Sequence, residues 1–110
     1  MKGSIDSPLP VTVEELKNGV YKIGPLIIQR MVVSLTWRKV MVCNYNMTFP
    51  GGVIAVFAQG RHMGEVGTSD GYYVGTSVQV AGINNSQCKY FLSSDVNNAN
   101  LDAVIIAIGY

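Results

Sequence analysis

Apolar and polar side chains alternate in several stretches after residue 26, which is the pattern of β-strands that bury one face. In LIIQRMVVSL, Ile27 and Met31 belong to one face, while Arg30 and Ser34 belong to the other. The next stretch, VMVCNYNMTF, places Asn44, Asn46 and Thr48 opposite an apolar face of Met41, Cys43, Tyr45, Met47 and Phe49. Two strands are predicted, joined as a β-hairpin whose tip is Thr36 to Lys39.

Four more strands follow in the pattern. VIAVFAQ is apolar on both faces and is predicted to be central in its sheet. YYVGTSVQVAG, CKYFLS and AVIIAIGY supply the fourth, fifth and sixth strands, with turns at Pro50 to Gly52 and at Asn84 to Ser86. Residues 60–71 and 94–102 are predicted loops. About six short antiparallel strands with Gly and Asn turns predict an all-β fold, a small antiparallel β-sandwich.

Residues 1–20 have a different composition from the rest. Two closely spaced prolines precede the stretch VEELKNG. Glu14 to Lys17 suit one helical turn, which Gly19 would end. We therefore expect residues 1–20 to be a short irregular linker or lead-in, and residues 21–110 to form the β-domain.

Composition restricts the class of function. The 110 residues are 48% hydrophobic and only 14% charged, with a formal net charge of +1, whereas charged residues usually make up about a quarter of a chain. Neither nucleic-acid binding nor membrane insertion is expected, because there is no basic patch and no apolar run of about 20 residues. No secretory signal is apparent, so Cys43 and Cys88 are expected to be free thiols. One histidine and no CxxC give no expectation of a metal or cofactor.

Three stretches occur in an informative order: YKIGPLIIQR at residues 21–30, NMTFPGGVIAVFAQG at 46–60, and IAIGY at 106–110. Together they resemble the C-terminal domain of contractile-tail phage tail fibres of the Mu-like and P2-like kind. That family usually has Trp and Gly where this chain has Arg30 and Met31. It also has an aromatic pair where this chain has Val104 and Ile105.

The resemblance implies a trimeric β-structured tip of a phage, prophage or tailocin fibre. Its expected partners are two further copies of the chain, an upstream fibre shaft, a fibre-assembly chaperone, and a bacterial surface glycan or lipopolysaccharide. The expected location is the virion tail fibre, made in the host cytoplasm. No enzymatic activity is implied.

The apolar ending of the chain fits this interpretation. Val104, Ile106, Ile108 and Tyr110 alternate with the small residues Ala103, Ala107 and Gly109. A face of small side chains lets a second sheet or subunit approach closely, so the final strand is expected to be buried. A trimer would also explain the low charge, because part of each subunit's surface would be interface.

The segment from Gly60 to Tyr73 is the first candidate binding surface. It combines both charge signs with aromatic rings, a mixture that suits recognition of sugars by hydrogen bonds and stacking. The alternative is an ordinary solvated loop whose tyrosines are strand residues. The predicted ligand-binding residues here are Arg61, His62, Asp70, Tyr72 and Tyr73.

Two other groups are candidates. Trp37 and Arg38 lie at the predicted hairpin tip, where the indole can stack on a sugar and the guanidinium can bind an anionic group. The alternative is that Trp37 covers the core or contacts a neighbouring chain. Secondary candidates are Asp95, Asn97 and Asn98, in a polar run that is otherwise a plain loop.

The sequence leaves three functions open. The favoured one is non-covalent adhesion to a bacterial receptor. The second is a structural cap that trimerises a fibre without touching a receptor. The third is a surface-polysaccharide hydrolase with Glu65 and Asp70 as its carboxylate pair, which is disfavoured because a glycine-rich loop would hold such a pair poorly.

Overall fold

The strands can be followed through residues 12–36, 39–62, 78–92 and 101–110, which are the residues that the computed structural model describes. In chain order the described strands are β1 (Val13–Lys17), β2 (Val20–Ile23), β3 (Leu26–Ser34), β4 (Val40–Asn44), β5 (Val53–His62), β6 (Val78–Ala81), β7 (Gln87–Leu92) and β8 (Leu101–Gly109). The described residues contain no helix that is long and apolar enough to cross a membrane.

The strands form two antiparallel sheets. Five strands lie in the order β1-β2-β3-β8-β5, and three lie in the order β4-β7-β6. In the larger sheet β8 is flanked on both sides, so that Ile105 pairs with Met31 of β3 and with Ala58 of β5. The predicted all-β antiparallel sandwich is confirmed.

The core lies between the two sheets, on the faces that the alternation predicted. The five-stranded sheet contributes Ile27, Met31 and Ile105, which are buried, and the segment from β4 onward contributes Cys43 and Phe49. Burial of each larger aliphatic or aromatic side chain stabilises the fold by about 1.5–3 kcal/mol before entropy is counted. The small core face of β8 is fully buried at Ala103 and Ala107, as the sequence predicted.

The predicted hairpin of the first two strands is wrong. β3 and β4 belong to different sheets, and the Lys39 amide before β4 donates to the carbonyl of Thr36 after β3 at 3.3 Å. Alternation shows which face of a strand is buried but not which strand is its neighbour. A chain that crosses from one sheet to the other across the core therefore has the same pattern as a hairpin.

The predicted central position of the third strand is also wrong. Among the described strands, β5 lies at one end of the larger sheet and pairs with β8 alone. The described chain does not cover the apolar outer residues of β5, since Ile54 and Phe57 are each 58% exposed. β5 also continues to His62, so the residues at 60–62 that were predicted as loop extend a strand, because β8 offers partners that far.

The first strand replaces a predicted helical turn. Val13–Lys17 is a strand whose five side chains are all exposed, and it is held by backbone pairing to β2. Gly19, in the turn between them, has a φ of +78°. Residues other than glycine rarely adopt this backbone conformation. The five-stranded sheet therefore begins inside the segment that the sequence predicted to be a lead-in.

The chain's last described residue is fixed by a glycine turn. The amides of Gly51 and Gly52 donate to the carbonyl oxygen of Tyr110 at 2.6 and 3.1 Å, and the Tyr110 amide donates to the Gly52 carbonyl at 3.0 Å. A Cβ on Gly51 would overlap the Tyr110 ring, and a Cβ on Gly109 would overlap the Gly52 carbonyl and the Phe49 ring. The close approach of these segments requires glycine at both positions.

Candidate functional site

Six of the described strands end or begin at one end of the sandwich, which we call the loop end. β3, β5 and β7 finish there, and β4, β6 and β8 begin there. In the larger sheet, Asp102 at the start of β8 pairs with Ser34 and with Arg61. In the smaller sheet, Leu92 at the end of β7 pairs with Val78 at the start of β6.

A hydrogen bond shows that these strand ends of the two sheets belong to the same end of the molecule. The Tyr90 hydroxyl of β7 donates to the Ser34 carbonyl of β3 at 2.9 Å. β5 and β6 are also in contact. The strand ends at Ser34, His62 and Leu92, and the strand starts at Val40, Val78 and Leu101, therefore bound one common surface.

All the predicted binding residues belong to this surface or to segments attached to it. Residues 37–38, 63–77 and 93–100 lie outside the described residues, and each of these segments joins strands that end or start at the loop end. The predicted residues outside the described chain are Trp37, Arg38, Asp70, Tyr72, Tyr73, Asp95, Asn97 and Asn98. Their role in binding stays a prediction.

Arg61 lies in β5, where it makes an ion pair. Its guanidinium donates to both carboxylate oxygens of Asp102, from Nε to Oδ1 at 2.9 Å and from Nη2 to Oδ2 at 2.8 Å. The two residues are direct cross-strand partners, and both side chains are half-buried. The hydrogen bond from Arg61 lowers the pKa of the Asp102 carboxyl, and the same bond raises the pKa of the guanidinium.

The pairing changes how Arg61 is expected to act. The sequence predicted a loop arginine free to bind a ligand, whereas its carboxylate partner lies 41 positions away in the chain and no local pattern reveals it. A bidentate pair holds the guanidinium in one orientation. His62 follows as the last residue of β5, with its backbone paired to Leu101.

β1 begins at the other end of the sandwich, opposite the loop end. Val13, at the start of β1, pairs with Ile23 beside the turn that leads to Leu26. Tyr110 and its glycine turn lie at this end too, since Gly109 pairs with Ile27 and with Val53. β3 has nine residues, so the two ends are separated by roughly 26 Å.

The outer face of the larger sheet carries an apolar surface. Cross-strand rows on this face join Ile28, Ile108 and Ala55, and then Arg30, Ile106 and Phe57. Ile106 and Ile108 are half-exposed, whereas Phe57 is 58% exposed. We call this set the outer face, defined by Ile28, Ala55, Phe57, Val104, Ile106 and Ile108.

A cleft between β3 and β4 was not predicted from the sequence. Its volume is about 460 Å³, and the residues that line it include Arg30 to Val33 of β3 and Val42 to Asn44 of β4. The polar residues of the lining are Asn18, Arg30, Asn44 and Asn46. The sequence signal was the polar face of the second predicted strand, which placed Asn44 and Asn46 together but gave no partner for them.

The fold is similar to that of solved pyocin fibres. An N-truncated R1-type pyocin tail fibre matches with a TM-score of 0.67 and 23% identity, over 99% of this chain and 93% of that one. A C-terminal fragment of the Pseudomonas aeruginosa R1 pyocin fibre matches at 0.66 and 22%, and one of the R2 fibre at 0.66 and 14%. This chain spans only 30% and 28% of those two longer chains. No family model matches the chain, and no curated protein matches it.

These likenesses establish the fold. The chain folds as R-type pyocin tail fibres do, and such fibres belong to contractile, phage-like tails. The fold expected from the tail-fibre resemblance is therefore confirmed.

Proposed function

We propose that the chain is the receptor-recognising tip of a phage-type tail fibre, which adheres without covalent chemistry to a glycan or lipopolysaccharide on the bacterial surface. One observation carries the proposal. Every segment that holds a predicted binding residue joins strands at the loop end, about 26 Å from the end at which β1 begins. A shaft that precedes β1 would leave the loop end pointing away from the virion.

The difference between the connections at the two ends of the sandwich supports this orientation. At the end where β1 begins, Asn84 forms a tight side-chain turn, with its Oδ1 accepting from the amides of Ser86 and Gln87 at 2.8 and 2.9 Å. Gly51 and Gly52 are occupied with Tyr110. At the loop end the connection between β5 and β6 spans 63–77 and carries aromatic and charged residues together. Longer connections on a rigid scaffold are the usual location of binding residues.

We further propose that the domain works as a homotrimer attached to a fibre shaft. The outer face is the surface that supports the assembly, because Phe57 is more than half exposed there and β5 is an end strand among the described strands. Exposed apolar patches of this kind commonly mark protein interfaces. Three loop ends on one fibre would raise the avidity of individually weak sugar contacts.

The proposed context follows from the trimer and the fold. The chain would be a component of the virion tail fibre, made in the host cytoplasm and joined to its shaft with the help of an assembly chaperone.

The second candidate function is a structural cap that only closes the trimer. The apolar outer face favours trimerisation under either proposal, so trimer formation alone does not separate them. Adhesion does separate them. Labelled purified chain should bind whole cells of a susceptible strain and the lipopolysaccharide extracted from those cells, whereas a structural cap would bind neither.

The assembly is tested separately by mass. Light scattering of the 110-residue chain at micromolar concentration should give three times the monomer mass, and Phe57→Asp should shift the mass toward the monomer. Ile83→Asp is the matched control, because Ile83 is 47% exposed outside the larger sheet. A monomer mass for the parent chain would overturn the trimer.

A further inference from the structure

The cleft between β3 and β4 is open along two strand edges. β2 accompanies β3 only as far as the Val20–Gln29 pair, and β4 is an end strand of the smaller sheet. Beyond Gln29, β3 has no strand partner on that side among the described residues. The cleft of about 460 Å³ lies between these two edges, a volume within the usual range for small-molecule sites.

One wall of the cleft is held in place by the backbone. The Arg30 amide donates to the Gly19 carbonyl at 2.9 Å, and the Arg30 carbonyl accepts from Asn46 Nδ2 at 3.1 Å. A Cβ at Gly19 would crowd that same Asn46 amide, at 2.7 Å. The wall is therefore formed before any ligand arrives, which lowers the entropy cost of binding.

The polar groups that line the cleft retain hydrogen-bonding capacity. Among the described residues, no side-chain hydrogen bond involves Asn18 or Asn44, and no carboxylate pairs with Arg30. Asn46 commits one amide hydrogen to Arg30 and keeps its carbonyl oxygen. An amide group offers both donors and acceptors, and a guanidinium favours a carboxylate or phosphate.

Apolar surface adjoins these polar groups. Val32 of β3 and Val42 of β4 line opposite walls of the cleft and are 53% and 49% exposed. A sugar ring presents hydroxyl groups at its edge and C–H groups on its face. A lining of amides, one cation and two exposed valines matches that distribution.

We propose that this cleft binds a saccharide unit that carries an anionic group, with Arg30 on the anion and Asn18, Asn44 and Asn46 on the hydroxyl groups. The site is separate from the loop end. The suggestion that such a unit belongs to a bacterial surface glycan rests on the proposed function, whereas the cleft chemistry does not.

The test uses simple sugars on the full chain. Isothermal titration and ligand-observed NMR would compare galacturonate, galactose and acetate, so that the effects of charge and of ring are separated. We expect galacturonate to bind with a dissociation constant on the order of 1 mM. Galactose and acetate should each bind at least about tenfold more weakly, because each lacks one part of the contact set.

Variants assign the binding to the cleft. Arg30→Gln should weaken galacturonate binding at least about tenfold, and Asn44→Ala about threefold to tenfold. Lys89→Gln is the matched control, since it also removes one positive charge but lies on β7, outside the cleft lining. It should bind as the parent chain does, and all three variants should retain the parent melting temperature within about 3 °C.

Several outcomes would overturn the proposal. Equal binding of galactose and galacturonate would remove the anionic requirement, and equal weakening by Arg30→Gln and Lys89→Gln would reduce it to net charge. If galacturonate does not bind at a concentration tens of times the expected dissociation constant, the cleft is not a binding site for it. Adhesion to whole cells is a separate measurement, so loss of the cleft proposal leaves the loop-end proposal intact, and the converse also holds.

Discussion

The side chain of Gln29 substitutes for a strand neighbour of Met47. Gln29 is fully buried on the core face of β3. Its Oε1 accepts from the Met47 amide at 2.8 Å, and its Nε2 donates to the Met47 carbonyl at 2.5 Å. Both polar groups of the amide and both backbone groups of Met47 are thereby paired. The segment after β4 is tied to the larger sheet by a side chain instead of a strand.

Replacing Gln29 should therefore lower the free energy of unfolding by more than the loss of side-chain volume alone would. Gln29→Ala leaves the Met47 amide and carbonyl without partners and opens space in the core. We expect a loss of about 2–4 kcal/mol in the free energy of unfolding, measured by urea denaturation. Gln59→Ala is the control, because Gln59 is exposed on β5 and donates to the neighbouring Gly60 carbonyl. Equal effects of the two substitutions would contradict the bridging role.

Gly109 should not accept a methyl group. Gly109→Ala would place Cβ against the Gly52 carbonyl and the Phe49 ring, and backbone cannot move as a flexible side chain can. We expect a loss of at least about 3 kcal/mol, or failure to fold. Gly24→Ala separates this clash from backbone strain, since Gly24 has a φ of +57° and no atom near the position of its Cβ. That change should cost only about 1 kcal/mol, and a similarly small loss at Gly109 would contradict the close packing of β8.

The Arg61–Asp102 pair should make a pH-dependent contribution to stability. The hydrogen bond from Arg61 lowers the pKa of Asp102 in the folded chain, so the folded state favours the ionised carboxylate. The contribution is present above the unfolded pKa and is lost as the pH falls through the lower folded value. Asp102→Asn should melt below the parent at pH 7, and the difference should shrink below about pH 4. A difference that is constant from pH 7 to pH 2 would contradict the assignment.

The two cysteines should react only after unfolding. Cys43 and Cys88 are cross-strand partners that are 3% and 0% exposed, and both are free thiols, as the sequence predicted. The pKa of the Cys43 thiol is raised, mainly by a hydrogen bond with Cys88 and to a smaller extent by burial. A thiol reagent should therefore find almost no reactive group in native protein and two in denatured, unreduced protein. Two fast-reacting thiols in native protein would contradict this packing.

The parts of the fold that the sequence predicted are those set by burial. Alternation placed Met31 and Cys43 correctly on core faces because each strand has one face against the opposite sheet. It could not show that β3 and β4 lie in different sheets. It also gave no signal for β1, whose side chains are all exposed and which is held by its backbone. Gln29 shares the parity of Ile27 and Met31, so its burial was detectable, but its partner was not.

The candidate site also has features that the sequence predicted and features that it could not predict. Residue types and glycines indicated which segments would carry the binding chemistry, and strand topology then attached those segments to one end. The sequence could not show that Arg61 is engaged by Asp102, because the two meet only through the pairing of β5 with β8. It also could not show that Asn18, Arg30 and Asn44 line one cleft, because three separate strands or turns bring them together.

The most direct test of the central claim compares the two ends of the sandwich in one adhesion assay. Fluorescently labelled parent, Asp70→Ala and Lys22→Ala chains would be titrated onto cells of a susceptible strain and counted by flow cytometry. Lys22 is exposed on β2, close to the end where β1 begins. The account predicts that Asp70→Ala keeps the parent mass and melting temperature but loses at least about tenfold in cell binding, while Lys22→Ala binds as the parent does. Unchanged binding by Asp70→Ala together with a loss for Lys22→Ala would place recognition at the wrong end and contradict the account.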